Sequence, residues 1–204
     1  SMVIGEREIA GQMRRAAHTA WEDGTLSCDL GRAAERASAT SRRVATETGL
    51  AGAGRSVVAV GLDMAAAHLR PWEGARVLIV GTGAYAGATV SALHALGASD
   101  VAVYSTSGRA REFAEGRGIG WVDAAGLPSA LERADLVVTC RGLGSPVLTR
   151  DMAAQAGRTV VLDLALMRDT ESSVASLSNV TLIDLPTIQA SVPAADADAL
   201  TRAR

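Results

Sequence analysis

The stretch Ala75–Gly97, ARVLIVGTGAYAGATVSALHALG, decides the fold. Val77 to Val80 is a short apolar run that reads as a buried parallel strand. It breaks at Gly81-Thr82-Gly83 and continues as an Ala-rich helix that stops at Gly97. Strand, glycine turn and helix form the context in which G-x-G-x-x-G/A denotes dinucleotide binding. Gly81 permits the tight turn, and Gly83 leaves room for a pyrophosphate to approach the backbone. Ala86, with Gly87 beside it, lets the helix lie close to the strand. The free N–H groups and positive end of the helix would then face the phosphates. A dinucleotide would lie across Gly81, Thr82, Gly83, Ala84, Tyr85 and Ala86. The competing reading is a glycine-rich turn that serves packing alone.

Outward from this unit, strands and helices alternate. Candidate strands are Arg76–Val80, Val101–Tyr104, Gly120–Val122, Leu136–Thr139, Thr159–Asp163 and Thr181–Ile183. Near-continuous apolar strands separated by helices predict an α/β, Rossmann-like, doubly wound parallel sheet over residues 71–190. An all-helical segment precedes it over residues 1–70. Ile9, Met13, Ala16, Ala17 and Ala20 recur at helical spacing, and Gly24 stops that helix. A second helix runs from about Asp29 to Thr48. A third places Val57, Val60, Met64 and Ala67 on one face and ends before Pro71. After Leu185 the chain turns polar, as a short helix or frayed, and residues 191–204 form a polar tail.

Composition narrows the function. A net charge of −2 leaves no bulk basic field for nucleic acid. There is no lysine, which excludes a Lys Schiff base or P-loop lysine within these residues. Cys28 and Cys140 stand far apart and outside any CxxC pattern, as in a reducing compartment. His18, His68 and His94 lack ligand spacing, so no metal site is expected. No apolar run approaches the roughly 20 residues that span a bilayer, and no signal peptide is read before the first helix. The expectation is a soluble, cytoplasmic protein without membrane contact.

Four segments together resemble the glutamyl-tRNA reductase family. Ser1 to Gln12, SMVIGEREIAGQ, is similar to the family's S-x-V-x-G-E-x-Q-I-x-G-Q segment. Arg42 to Thr48, RRVATET, is similar to its K-R-V-R-T-E-T run, and Ser56-Val57 follow at the family's distance. Val161 to Asp169, VLDLALMRD, resembles its D-[IL]-A-V-P-R-D motif. The glycine fingerprint lies between the second and third of these. The resemblance covers nearly the whole chain. It implies NADPH as cofactor and glutamyl-tRNA(Glu) as substrate. In that family a cysteine attacks the aminoacyl ester, and hydride from NADPH converts the enzyme thioester to glutamate-1-semialdehyde, a tetrapyrrole precursor. It further implies a homodimer for the full-length enzyme and glutamate-1-semialdehyde aminomutase as a candidate partner. The family's nucleophile lies N-terminal to the S-x-V-x-G-E segment, and its dimerisation helix is C-terminal. The chain therefore reads as the connecting helices and cofactor domain of a longer protein, inactive alone and with no catalytic residue of its own. A natural truncated homologue is the alternative.

By the resemblance, Ser1, Glu6, Arg7, Glu8 and Gln12 line the glutamyl pocket, with Glu8 standing where the family usually has Gln. Glu8 and Gln12, at i and i+4, share a helix face; a solvated helix start is the plainer reading. Cofactor choice is read after the second strand, Tyr104-Ser105-Thr106-Ser107-Gly108-Arg109. No acid is present to bind a ribose 2′-OH, whereas the hydroxyls of Ser105 and Thr106 and the Arg109 guanidinium suit a 2′-phosphate. Ser105 stands where the family has arginine, which predicts weak NADPH binding, in the tens of micromolar or poorer. Cys140, together with Cys28, reads as a packing residue. Arg168 and Asp169 are expected to pair and hold the loop after the fifth strand, where Met167 replaces the family proline. Two rivals remain: an independent small oxidoreductase of shikimate-dehydrogenase type, and a non-catalytic dinucleotide-binding module.

Overall fold

Short apolar runs that leave no polar edge on either side must be covered on both faces, and the central strands satisfy this, whereas Gly120 and Trp121 of an edge strand are exposed. A computed structural model describes residues 7–48 and 57–191, and the side chains of 12–40, 43 and 57–191. The chain divides into two compact units, residues 1–57 with 189–204, and residues 58–188.

The first unit contains α1 (Arg7–Glu22) and α2 (Cys28–Thr48). Gly24, at φ +66°, occupies the left-handed region that lets the chain leave α1. Thr25 and Leu26 donate their N–H groups to the Ala20 carbonyl. Ser27 Oγ accepts from Leu30 N–H at 3.3 Å and caps α2. Of the expected apolar face of α1, Ala17 and Ala20 are half-buried, whereas Ala16 is exposed and Met13 is 43% exposed.

The second unit holds six strands: β1 (Arg76–Val80), β2 (Asp100–Tyr104), β3 (Gly120–Val122), β4 (Leu136–Thr139), β5 (Thr159–Asp163) and β6 (Val180–Asp184). All pair in parallel, in the order β3-β2-β1-β4-β5-β6. The α/β doubly wound sheet read from the sequence is thus present, with each strand within one residue of its expected bounds. Helices α3 (Val57–Ala66), α4 (Ala84–Ala95), α5 (Ala110–Glu115), α6 (Leu127–Arg133), α7 (Arg150–Gln155) and α8 (Leu185–Ser191) accompany it. One face of the sheet presents Leu78, Val80, Val137 and Val161 to Leu127 and Leu131 of α6 and Ala153 of α7. In α4 the buried residues are Ala86, Thr89, Val90 and Leu93, an i, i+3, i+4, i+7 stripe.

The third helix buries only part of the expected stripe. Val57 is buried as expected, but so are Val58, Gly61, Leu62 and Ala65, while Val60 and Met64 are half-buried and Ala67 is exposed. This helix is apolar almost all round, so periodicity does not choose a face. Close approach does: a Cβ on Gly61 would meet Leu162 Cδ1 at 2.8 Å.

Candidate dinucleotide site

In this strand order the chain winds outward in opposite directions from β1 and β4, leaving a crevice at their carboxyl ends. Val80 aligns with Tyr104 on one side and with Thr139 on the other, so the loops after β2, β1 and β4 leave at one level. The ladder runs one residue further: Gly81 N–H donates to the Tyr104 carbonyl at 2.9 Å, and Cys140 N–H to the Val80 carbonyl at 3.0 Å.

The two glycines of the turn are required for different reasons. Gly81 has φ +130°, a conformation that side chains rarely adopt, and a Cβ there would meet Cys140 Sγ at 3.1 Å and its carbonyl at 3.3 Å. The chain itself therefore demands glycine at this position. Gly83 has φ −83° and ψ −168°, ordinary extended backbone, and no protein atom lies within 4 Å of a built Cβ. It stands at the N-cap of α4 and no side chain caps that end. The N–H groups of the first turn point out of a helix start by geometry, and the space before them is open. Ala86 is fully buried against the sheet. Gly87 instead faces the Arg117 guanidinium, 3.6 Å from a built Cβ, which stacks on the Phe113 ring at 3.9 Å. Thr82, Ala84 and Tyr85 complete the turn, half-buried or exposed.

The loop after β2 brings hydroxyls and one cation together. Ser105 Oγ and Ser107 Oγ lie 2.9 Å apart, and Arg109 Nε donates to Ser107 Oγ at 3.0 Å. Arg109 is exposed, and its terminal nitrogens take no partner among the described residues. Thr106 is exposed beside them. Of the expected glutamyl-pocket residues, Arg7, Glu8 and Gln12 lie on α1, with Gln12 half-buried. Ser1 and Glu6, and the side chains of Arg7 and Glu8, fall outside the described residues.

On the other side of the crevice the structure assembles a network that sequence reasoning missed. Asp163, at the end of β5, is 2% exposed and accepts N–H bonds from Ala165 (3.0 Å), Asp169 (3.1 Å) and Thr170 (2.9 Å). Burial pushes its carboxyl above the ordinary 3.8, against the pull of these donors. Asp169 is fully buried and accepts from the Arg141 and Gly142 N–H groups, the latter at 3.0 Å. The expected Arg168–Asp169 pair does not form. Arg168 reaches Asp184 at 2.7 Å, and Asp169 turns inward to amides that would otherwise lack partners. Asp184 is carried below 3.8: burial works upward, but the Thr187 hydroxyl and amide and Arg168 outweigh it. A carboxylate closing the apolar run VVLD was the available signal for Asp163. Cys140 lies between the two sides, 9% exposed, and packs as expected, whereas Cys28 does not: it opens α2 and is exposed. Burial first, then Asp169 and Asp163, push its thiol up to about 12, which leaves it neutral and unsuited to attack. An open cavity of about 530 Å³ adjoins the network, lined in part by Gly144, Pro146, Met167 and Thr170.

Among the described residues no helix is long and apolar enough to cross a membrane. Residues 63–191 match the family model for shikimate / quinate 5-dehydrogenase, and residues 1–48 match that for the N-terminal domain of glutamyl-tRNAGlu reductase. The glutamyl-tRNA reductase of Cutibacterium acnes is 48% identical over 200 residues, covering 95% of this chain and 44% of that protein. The enzyme of Clavibacter michiganensis subsp. michiganensis is 46% identical, covering 100% and 48%. The chain thus spans about half the length of the curated relatives it matches. Among solved structures, glutamyl-tRNA reductase from Methanopyrus kandleri superposes with a TM-score of 0.63 at 26% identity, covering 100% of this chain and 52% of that one. The nucleotide-binding domain of the Thermoplasma volcanium enzyme shares the fold, with a TM-score of 0.51 at 20% identity over 72% of this chain and 96% of that one. Residues 63–191 alone match the shikimate / quinate 5-dehydrogenase model, and it is the match over 1–48, with relatives that run through both parts, that places the chain in the glutamyl-tRNA reductase family, its sheet being a dinucleotide-binding Rossmann fold.

Proposed function

We propose that this chain is the NADPH-binding part of an enzyme that reduces glutamyl-tRNA(Glu) to glutamate-1-semialdehyde for tetrapyrrole synthesis. One observation carries the cofactor reading. Gly83 has ordinary backbone angles and no neighbour that a Cβ would strike, yet it leaves a cleared volume before an uncapped twelve-residue helix at the switch point. A bound pyrophosphate accounts for that volume. Gly81, Thr82, Gly83, Ala84, Tyr85 and Ala86 would hold it, and Ser105, Thr106 and Arg109 would take the 2′-phosphate that separates NADPH from NADH.

When bound, NADPH supplies the hydride. The residues of this chain would bind and orient it: the helix start at Gly83 would offset phosphate charge, and the loop after β4 would lie beside the nicotinamide half. Cys140, neutral and buried, is unsuited to attack the aminoacyl ester, and the family resemblance assigns that attack to a thiol of the catalytic domain N-terminal to the segment that Ser1 opens. Ser1, Glu6, Arg7, Glu8 and Gln12 would contribute to the glutamyl pocket, with Glu8 and Gln12 one turn apart on α1. Homodimerisation, contact with glutamate-1-semialdehyde aminomutase and a cytoplasmic setting belong to the same reading. The free state of Cys28 and Cys140 is consistent with a reducing compartment. An independent oxidoreductase of shikimate-dehydrogenase type would need a Lys/Asp pair for proton transfer, and no lysine is present.

The test has two parts. Calorimetric titration of residues 1–204 should show one NADPH site, weaker for NADH. The polypeptide alone should not turn over glutamyl-tRNA, and joining it to the cysteine-bearing domain of a relative should restore turnover. Absence of any dinucleotide binding defeats the cofactor reading, and turnover by residues 1–204 alone defeats the division of labour.

A further inference from the structure

The loop from Cys140 to Leu148, between β4 and α7, is held at both ends by a single residue from another loop. At its start, the N–H groups of Arg141 and Gly142 donate to the Asp169 carboxylate. At its end, Val147 N–H and Leu148 N–H donate to the Asp169 backbone carbonyl at 2.7 and 3.0 Å. Between these anchors the segment is exposed at Leu143 (71%), turns through Gly142 and Gly144 at φ +65° and +79°, and is braced by the Arg141 guanidinium, whose Nη2 donates to the Ser145 carbonyl. Asp169 is itself placed by Asp163, whose Oδ2 accepts its N–H at 3.1 Å. The Arg141 side chain, 15% exposed, forms an ion pair with Asp169, Nε to Oδ1 at 3.7 Å, too long for a hydrogen bond. The loop amides are thus the hydrogen-bond partners of the carboxylate, and the Arg141 guanidinium of the same loop is its counter-charge. Burying a carboxylate completely is costly unless its bonds are made, and here the bonds serve to fix an exposed loop.

The place of that loop gives the arrangement its use. With phosphates at the start of α4, a dinucleotide extends one way over β2, towards Ser105 and Arg109, and the other way over β4. We propose that Asp169 is a positioning residue for the nicotinamide half of the cofactor: it sets the Arg141–Gly142 backbone at the carboxyl end of β4, where that half would lie. This inference rests on the dinucleotide reading above.

The experiment compares two ligands on residues 1–204. NADPH contacts both halves of the crevice, and 2′,5′-ADP contacts only the adenosine side. Asp169→Asn removes the charge and replaces one acceptor with a donor facing the amides, but leaves the carbonyl bonds to Val147 and Leu148. It should weaken NADPH about tenfold, the loss of roughly one charge-assisted hydrogen bond, and leave 2′,5′-ADP within about twofold on the same scale. Gly142→Ala perturbs the same loop start without touching the carboxylate, because a side chain is strained at φ +65°. It should give the same split, and it carries the test if the asparagine variant does not fold. Equal losses for both ligands would make the role a general structural one and overturn the inference. So would unchanged NADPH binding in the variants, or parent NADPH affinity no better than that of 2′,5′-ADP. A parent chain that binds neither ligand overturns the dinucleotide reading and this inference with it. A parent that binds both, with no split in the variants, overturns this inference alone.

Discussion

The two sides of the crevice are built by opposite means. On the β1 side the chain removes matter: Gly81, Gly83 and Ala86 clear the turn, and the helix start is left uncapped. On the β4–β5 side it adds charge: Asp163 and Asp169 are buried and saturated with amide donors. The first side is made by residues within one turn of chain. The second joins Arg141 and Gly142 to a residue 27 or 28 positions away. A site made by absence is sensitive to any added atom, whereas a site made by a buried network is sensitive to the loss of one bond.

The largest expected contrast concerns Cys140, which sits between the two sides. A thiol moved from 9.0 to about 12 carries roughly a thousandfold less thiolate at neutral pH, before burial limits access. Alkylation followed by mass spectrometry should mark the exposed Cys28 and leave Cys140 unmodified in the folded protein. Rapid labelling of Cys140 would mean that the β4 end is far more open than described.

Next is Gly83→Val. With no protein atom near the new Cβ, the fold should survive, with a cost of about 1 kcal/mol or less from poorer N-capping. NADPH binding should fall a hundredfold or more, since the branched side chain fills the pyrophosphate volume. Unfolding of the variant would show that the glycine serves packing, and unchanged affinity would place the ligand elsewhere.

A smaller effect is expected at the loop after β2. Ser105→Arg adds one charge-assisted contact and should tighten NADPH roughly tenfold with NADH nearly unchanged. Arg109→Ala should weaken NADPH alone. If neither titration moves the ratio of NADPH to NADH affinity, that loop does not read the 2′-phosphate.

The smallest effect is a slope in pH. Because burial raises the Asp163 carboxyl above 3.8, the fold favours its protonated form more than the unfolded chain does. Its contribution to stability is therefore fully present below the ordinary carboxylate range and is lost as pH rises through the folded value. In denaturant titrations, the stability of the parent minus that of Asp163→Asn should decline with rising pH through the acid range. A difference that grows with pH would mean that the three amide donors outweigh burial.

Strand-by-strand legibility followed from local chemistry. A parallel strand covered on both faces is a run of Val, Leu and Ile, and each such run here became a strand within a residue of its reading. The glycine turn was legible for the same reason, as its constraints span six residues. The buried face of α3 was not, because a helix apolar all round offers no preferred side until Gly61 meets Leu162. Nor was the partner of Asp169 legible: Arg168 is its chain neighbour, but amides donated from the β4 loop are its partners in space.

By itself, then, the sequence determined the alternation of strands and helices, the turn at Gly81–Ala86, the lack of an acid after β2 and the family resemblance, all of which are properties of residues close together in the chain. Tertiary structure alone decided which glycine is forced by the fold and which has open space around it, that Cys140 is silenced by burial, and that Asp163 and Asp169 staple two loops together. Those outcomes depend on distance through space, where burial strengthens every bond that is made and penalises every charge left without one.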